Sequence, residues 1–573
     1  MQAKEASEIL DEIATFLELN NENPFKVRAI ANAARLLKGM SSSLEELLES
    51  GELAKTKGIG KGILERLEEM AKHGHSPYLK KLSREFPSGL QDMLRVPRLG
   101  PKKVRILYDK LKIKNLNSLE KACKTGKLNS LKGFGEKTAE NILHGIEFLK
   151  KYSDRILYSE VILQAKELEN YLKNVKEIDE ISIGGSLRRH LETVKDVDLV
   201  VGTKNPNKVM DALVKYKDVA EVTAKGETKT AVIFKSGLRV DLRAVKPKEF
   251  PYALHHFTGS KDHNTAMRSR AKSMGLKMNE YGLFRAEKNI ACKNEKEIFA
   301  KLKLHYIPPE LRENLGEIEE AEKHDFHDLI TDKDIQGVLH VHSTYSDGVN
   351  TLEEMIEGAI KRNFKYIGFS DHSQSAFYAN GLKVDRIKKQ SEEIEKLREK
   401  YPKILILHGI ESDILKNGDL DYPLKVLEKF DFIVGSIHGN FNLNEKEMTK
   451  RMIRAIKNPY CTMIGHPTGR LLLSREAYPI NMEEVIEAAA ENKKIIEINS
   501  HPLRFDLDWR LGPFARKLKI KTSINPDAHK IEDMDYMEMG VGIARKAGFK
   551  AKDVLNTFSV NEIKKYLASQ KEK

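Results

Sequence analysis

The chain has little cysteine: three in 573 residues, Cys123, Cys292 and Cys461, far apart and with no Cys-x-x-Cys pair. Such usage argues against a disulfide framework or a thiolate zinc site and fits a reducing, cytoplasmic compartment. Long apolar runs are missing too. No uninterrupted stretch approaches the roughly 18 residues a membrane helix needs, so no membrane association is expected. Met1 to Leu19 carries acids on an amphipathic pattern, without a basic stretch ahead of an apolar core, so no secretory signal is expected. Nothing suggests a coiled coil, which leaves a monomer as the expectation.

What the chain has in excess is positive charge, +13 overall and unevenly placed. Residues 1–315 hold 58 Lys and Arg against 43 Asp and Glu, whereas residues 316–573 hold 40 against 42. Residues 51–150 alone hold 22 against 11, the electrostatic footprint of a polyanion binder. A chain of this length implies about three or four domains at roughly 150 residues each.

In the last 240 or so residues, apolar segments with the look of buried strands end repeatedly in an imidazole or a carboxylate. His340 and His342 follow Gly337-Val338-Leu339, and strand alternation puts both rings on one face. Asp347 lies in the loop after them, and the pattern returns at His372, Glu411, His438, His466, Asp527 and His529, with helical stretches between. A β/α barrel gathers ligands in this way at the carboxyl ends of its strands. Nitrogen and oxygen donors without thiolates suit Zn²⁺, Mn²⁺ or Fe²⁺, and nine donors suffice for up to three ions. The series His-x-His-Ser-x-x-Ser-Asp-Gly, Ser-Asp-His, Gly-Ile-Glu, Gly-Ser-Ile-His-Gly, Gly-His-Pro and Asp-Ala-His resembles the PHP (polymerase and histidinol phosphatase) family of phosphoesterases over about 335–573. The resemblance implies a distorted β/α barrel with Mn²⁺ or Zn²⁺ on those nine residues. Arg386 and Arg470 are candidate phosphate contacts at its mouth.

The basic N-terminal part repeats a turn of glycines followed by a basic residue that opens a helix. Gly58, Gly60 and Lys61 form one copy, Gly100 and Lys102 a second without the first glycine, and Gly133, Gly135 and Lys137 a third. Glycine frees the backbone for a tight turn, and the helix start offers N–H groups to a phosphate without reading bases. The copies resemble helix-hairpin-helix motifs, which implies binding to the DNA backbone.

In the middle, Gly184-Gly185-Ser186-Leu187-Arg188-Arg189 precedes Asp196-Val197-Asp198. The glycine turn suits a triphosphate, with Ser186 and Arg189 adding donors. Asp196 and Asp198, two apart on a strand, share a face, and a later strand adds Asp241. Three carboxylates suit two Mg²⁺ or Mn²⁺ ions for nucleotidyl transfer. This constellation resembles the palm of family X DNA polymerases. That resemblance extends nucleotide contacts to Arg155, Gly185, His256, Phe257, Gly259 and Asn264, and a template-side contact to Arg268. His256 replaces the tyrosine of many relatives, and Lys261 stands where some carry an acid. Some members use an N-terminal lysine as a 5′-deoxyribose phosphate lyase. The matching position here is Arg66, which stays protonated, so that activity is expected to be absent or weak.

The expected organisation is multidomain. An all-α region carries the first hairpin motif (1–80) and a fingers-like part with the other two (81–150). An α/β nucleotidyltransferase palm (151–250) and thumb (251–316) follow, then an exposed acidic tether (317–334) and the PHP barrel (335–573). The expected function is gap-filling DNA synthesis in base excision repair, from gapped or primed DNA and deoxynucleoside triphosphates. Fused to it is a 3′→5′ exonuclease that could also act as a 3′-phosphatase or abasic-site endonuclease. The alternative is a phosphoesterase whose polymerase half is only a DNA-binding platform.

Overall fold

Apolar residues at helical spacing dominate the first 154 residues, and in the computed structural model this part forms a compact unit of its own, Met1–Asp154. Residues 1–38, 40, 42–97 and 99–571 are described, so Arg98 of the second hairpin copy lies outside them. The all-α region opens with the helices Ala3–Leu19, Pro24–Lys38 and Leu44–Glu49. Leu10, Ile13, Leu37, Leu67 and Leu107 lie in one shared core. The three glycine turns each lead into a helix of this unit: Gly60 into Lys61–His73, Gly100 into Pro101–Leu111, Gly135 into Glu136–Tyr152. Gly58 (φ 108°) and Gly133 (φ 88°) occupy backbone conformations that strain any other residue. Arg66 lays its guanidinium 3.5 Å over the Tyr78 ring.

The second unit, Arg155–Lys573, contains everything else. Its first strand, β1 (Ile156–Leu157), pairs with β3 (Thr193–Val194). The palm sheet comprises β2 (Ile178–Ile183), β4 (Asp196–Thr203), β5 (Val219–Lys225), β6 (Lys229–Phe234) and β7 (Arg239–Val245), in the order β2-β4-β7-β6-β5. β4 and β7 run parallel and the other pairs antiparallel. Val197, Leu199, Val240 and Leu242 bury their side chains, which turns the alternate acids of β4 and β7 the other way. A smaller antiparallel sheet follows: β8 (Lys277–Asn279), β9 (Gly282–Arg285) and β10 (Lys288–Asn289).

The C-terminal sheet is parallel in sequence order: β11 (Gly337–Val341), β12 (Tyr366–Phe369), β13 (Leu405–Asp413), β14 (Phe432–Ser436), β15 (Met463–Ile464), β16 (Ile495–Asn499) and β17 (Thr522–Asn525). Being covered on both faces, its strands are apolar nearly throughout. The His342 amide donates to the Ala528 carbonyl (2.8 Å), and the Ala528 amide to the His340 carbonyl (3.2 Å). These two bonds close β11 onto the loop after β17.

The tether expected over 317–334 is exposed only in part. Glu317, Ile318, Ala321, Leu329 and Ile330 are buried, and a short helix spans Glu317–Ala321. Several of the acids that suggested a solvated run have partners: Glu317 accepts from His263 Nδ1 (2.7 Å) and from the amides of Asn314 and Leu315, Glu320 pairs with Arg516 (3.4 Å) and Glu322 with Arg270. Palm and barrel residues belong to one continuous hydrophobic core.

Candidate active sites

In the palm, register places Asp198 beside Asp241, on the neighbouring strand. Burial first, then the charges of Asp196 and Asp241, push the Asp198 carboxyl up to about 7. Asp196 is raised for the same reasons, burial and then Asp241. Crowded carboxylates of this kind call for a cation. Lys229 supplies one, its Nζ 2.6 Å from Asp241, and so marks where positive charge is welcome. The turn before them fits only glycine: at Gly185 (φ 58°) a Cβ would lie 2.0 Å from Asp198 Oδ2.

The sequence-predicted nucleotide residues largely converge here. Arg189 donates Nε to Glu313 (2.9 Å) and Nη1 to the Thr258 carbonyl, and a Cβ on Gly259 would lie 3.0 Å from that same Nη1. Phe257 packs under the Arg243 guanidinium at 4.6 Å. Asn264 donates to the His256 carbonyl (2.7 Å), while its Oδ1 is buried with no hydrogen-bond partner, an acceptor left over for a ligand. Ser186 sits in the turn between Gly185 and Leu187. Arg155 binds Thr193 through Oγ1 (2.7 Å) and the carbonyl (2.5 Å). Arg268 is exposed on the helix Lys261–Ser273, donates to Thr265 Oγ1 (3.4 Å), and its charge helps lower the His256 imidazole after burial does. Arg188 is a structural brace, forked onto Glu295 at 2.7 Å.

In the barrel all nine expected donors meet at the carboxyl ends of the strands. Glu411 is central: His466 Nε2 stands 3.0 Å from it, His438 Nε2 3.2 Å, His340 Nε2 3.3 Å and His372 Nδ1 2.9 Å. Asp527 lies 3.2 Å from His342 Nε2, and Asp347 3.4 Å from His529 Nε2 and 3.6 Å from His372 Nε2. Three groups of donors are close enough to share an ion: His342, Asp347, His372 and His529; His340, His342 and Asp527; His372, Glu411 and His438. His340 Nε2, His342 Nε2 and Glu411 Oε2 are buried with no hydrogen bond, although opposite charges lie just beyond. Donors bound about 2.1 Å from one ion are spaced roughly so, and the set fits metals. Burial alone would raise Glu411, yet His438, His372 and His340 hold it well below the ordinary range.

Strict alternation is not what delivers His340. β11 carries a bulge between Val338 and Val341, and His340 sits at φ 59°. His466 (φ 25°) and Asp527 (φ 54°) share that left-handed region, the kind of backbone strain that clusters at functional sites.

The residues behind the ligands were not foreseen. Glu497, fully buried on β16, accepts from His340 Nδ1 (2.5 Å) and from the His466 amide (2.6 Å), and Asp413 accepts from His438 Nδ1 (2.6 Å). Asp371 accepts from Ser343, Ser346 and Gln390. Such partners fix ring orientation and tautomer. One signal was legible, a lone acid within Ile495-Ile496-Glu497-Ile498. Arg386 and Arg470 do not face the site freely. Arg386 binds the Asn380 and Tyr345 carbonyls, and Arg470 binds Asp508 and the carbonyls of Arg504 and Phe505. The arginine beside the ligands is Arg504, Nε 3.5 Å from Asp527.

Comparison with known proteins places four segments of the chain in known families. Residues 1–76 match a helix-hairpin-helix domain, 90–147 a SAM-like helix-hairpin-helix tandem, 253–313 the DNA polymerase beta thumb, and 339–501 the PHP domain. The chain is 39% identical over 571 residues, 99% of each protein, to the DNA polymerase/3′-5′ exonuclease PolX of Bacillus subtilis (strain 168). Its barrel part is 32% identical over 255 residues to a probable phosphatase of Thermoanaerobacter sp. (strain X514), covering 41% of this chain and 96% of that one. A crystal structure of Leishmania infantum polymerase beta, 23% identical, overlaps 39% of this chain and 98% of its own at a TM-score of 0.27, too slight to bear on the fold.

Proposed function

The chain belongs to the family of the bacterial DNA polymerase/3′-5′ exonuclease PolX, and from that premise we propose that it fills short gaps in DNA and trims 3′ ends. The observation that carries this reading is the coexistence of a crowded carboxylate triad and a cluster of histidines and acids in one chain that matches its relative over 99% of both lengths.

In the palm, Asp196, Asp198 and Asp241 would hold two Mg²⁺ or Mn²⁺ ions. Such ions, when bound, neutralise charge on the attacking and leaving oxygens. The residues do the positioning. Gly184-Gly185-Ser186 lets the backbone approach a triphosphate, Arg189 and Arg155 meet its charge, and Gly259 leaves room for Arg189. His256, Phe257 and Asn264 line the nucleoside side, with the free Oδ1 of Asn264 offered to the base or sugar. The glycine turns at Gly58, Gly60 and Lys61, at Gly100 and Lys102, and at Gly133, Gly135 and Lys137 would grip phosphates of gapped DNA. Arg268 would reach the template.

In the barrel, His340, His342, Asp347, His372, Glu411, His438, His466, Asp527 and His529 would hold up to three ions, Mn²⁺ or Zn²⁺ by their donor chemistry. Glu497 and Asp413 orient the rings, and Arg504 adds a cation where a scissile phosphate must sit. The same donors would serve 3′-phosphate removal or cutting at abasic sites.

The test is the length of an end-labelled primer on gapped DNA. Lengthening with deoxynucleoside triphosphates and shortening without them is expected. Shortening alone would favour the second reading, a phosphoesterase on a DNA-binding platform, against which the intact triad and the close fit of Gly185 now stand.

A further inference from the structure

The segment that links the phosphate turn to the acidic strand of the palm is held by the barrel. At its start, the Arg189 carbonyl accepts from Lys546 Nζ at 3.0 Å. Next, His190 Nε2 bonds the Met539 carbonyl at 3.1 Å. At its end, the Glu192 carboxylate accepts from Trp509 Nε1 (2.8 Å) and Arg510 Nη1 (2.9 Å). Met539 and Lys546 lie on the helix Tyr536–Lys546 behind β16 and β17, far along the chain from the palm.

Lys546 is the centre of this clasp. Its side chain is fully buried, and its three donors go to the Arg189 carbonyl, the Glu310 carbonyl (3.2 Å) and Glu313 Oε1 (2.6 Å). Its ammonium also stands 4.1 Å over the Trp509 ring. Glu313 is the same carboxylate that holds Arg189 Nε at 2.9 Å. Two cations therefore share one anion, and one of the two is the arginine placed to meet the triphosphate.

We propose that Lys546, a residue of the nuclease barrel, is a positioning residue for nucleotidyl transfer. It fixes the Arg189 backbone and takes up part of the Glu313 charge, so that the Arg189 guanidinium can be released to a nucleotide. Without Lys546, Arg189 is the one ion-pair partner left to Glu313 among the described residues, so Glu313 holds it more tightly and the nucleotide must compete for it. The proposal rests on the polymerase reading of the palm.

The experiment is steady-state extension and 3′ trimming by Lys546→Met, beside the parent and Glu313→Gln, with nucleotide Kd measured on a dideoxy-terminated primer. Lys546→Met is expected to raise KM and Kd for the nucleotide about tenfold or more, with kcat changed far less and trimming within twofold of the parent. In the Glu313→Gln background the same change should have a much smaller effect, because the competing anion is gone. Nucleotide Kd within twofold of the parent would overturn the proposal. So would a parallel fall in extension and trimming with a lowered melting temperature, which would make Lys546 interface packing only. An equal effect of Lys546→Met with and without Glu313 would also overturn it. Failure of the parent to extend at all would instead remove the polymerase reading itself.

Discussion

Three carboxylates on a half-open sheet and nine donors inside a barrel make opposite use of burial. In the palm, Asp196, Asp198 and Asp241 repel one another, and burial with that repulsion keeps Asp198 near neutrality at about 7. The site is unfinished without outside charge, and a triphosphate arriving with its own cation would finish it. In the barrel, histidines already surround Glu411, and Glu497 and Asp413 orient them from behind. On the function proposed above, similar acids would serve a cation that comes and goes with substrate in one place and a resident one in the other.

The sharpest way to break the comparison is to remove one site at a time. Asp198→Ala should reduce extension at least about a thousandfold, ~4 kcal/mol of barrier, while trimming survives; His342→Ala should do the reverse. Loss of both activities from either change, read on the same primer gel, would deny that the sites are independent. Next in size is Gly185→Ala, whose Cβ would lie 2.0 Å from Asp198 Oδ2. Extension should fall by a hundredfold or so, about 2.7 kcal/mol, with trimming intact.

Resident against transient metal is tested by dialysis. After extensive dialysis without chelator, metal content by mass spectrometry should remain stoichiometric in the parent, and extension should need added Mg²⁺ where trimming does not. Glu497→Gln should weaken barrel metal affinity by roughly 10- to 100-fold, as loss of such outer partners does elsewhere, and leave extension unchanged. The smallest effect belongs to Lys229→Gln. Its pair with Asp241 is partly solvent-exposed, so about 0.2–1 kcal/mol is at stake, a shift of a few-fold at most in the Mg²⁺ needed for half-maximal extension.

Much of this was legible in the residues. Donors at the ends of apolar segments revealed the barrel and its ligands, because a parallel sheet forces its chemistry to the carboxyl ends of its strands. The palm triad was legible for the same local reason, since Asp196 and Asp198 share a strand face. What escaped depends on distance along the chain. Glu497 meets His340 across 157 residues and Lys546 meets Arg189 across 357, and no periodicity encodes such meetings. The acids of 317–322 suggested solvent because their partners lie far off along the chain, His263 for Glu317, Arg270 for Glu322 and Arg516 for Glu320. Arg386 and Arg470 looked like phosphate ligands until loop carbonyls were found to claim them.

The palm and the barrel bury their apolar side chains in a single core, with Tyr158, Leu242, Val338 and Ile524 all members of it. A cut near residue 334 would strip oil-like surface from both sides, leaving two sticky remnants where two enzymes were wanted. In this chain the two tools share one keel: removing the trimmer would oblige the copier's flank to be refaced with polar side chains before it could stand in water.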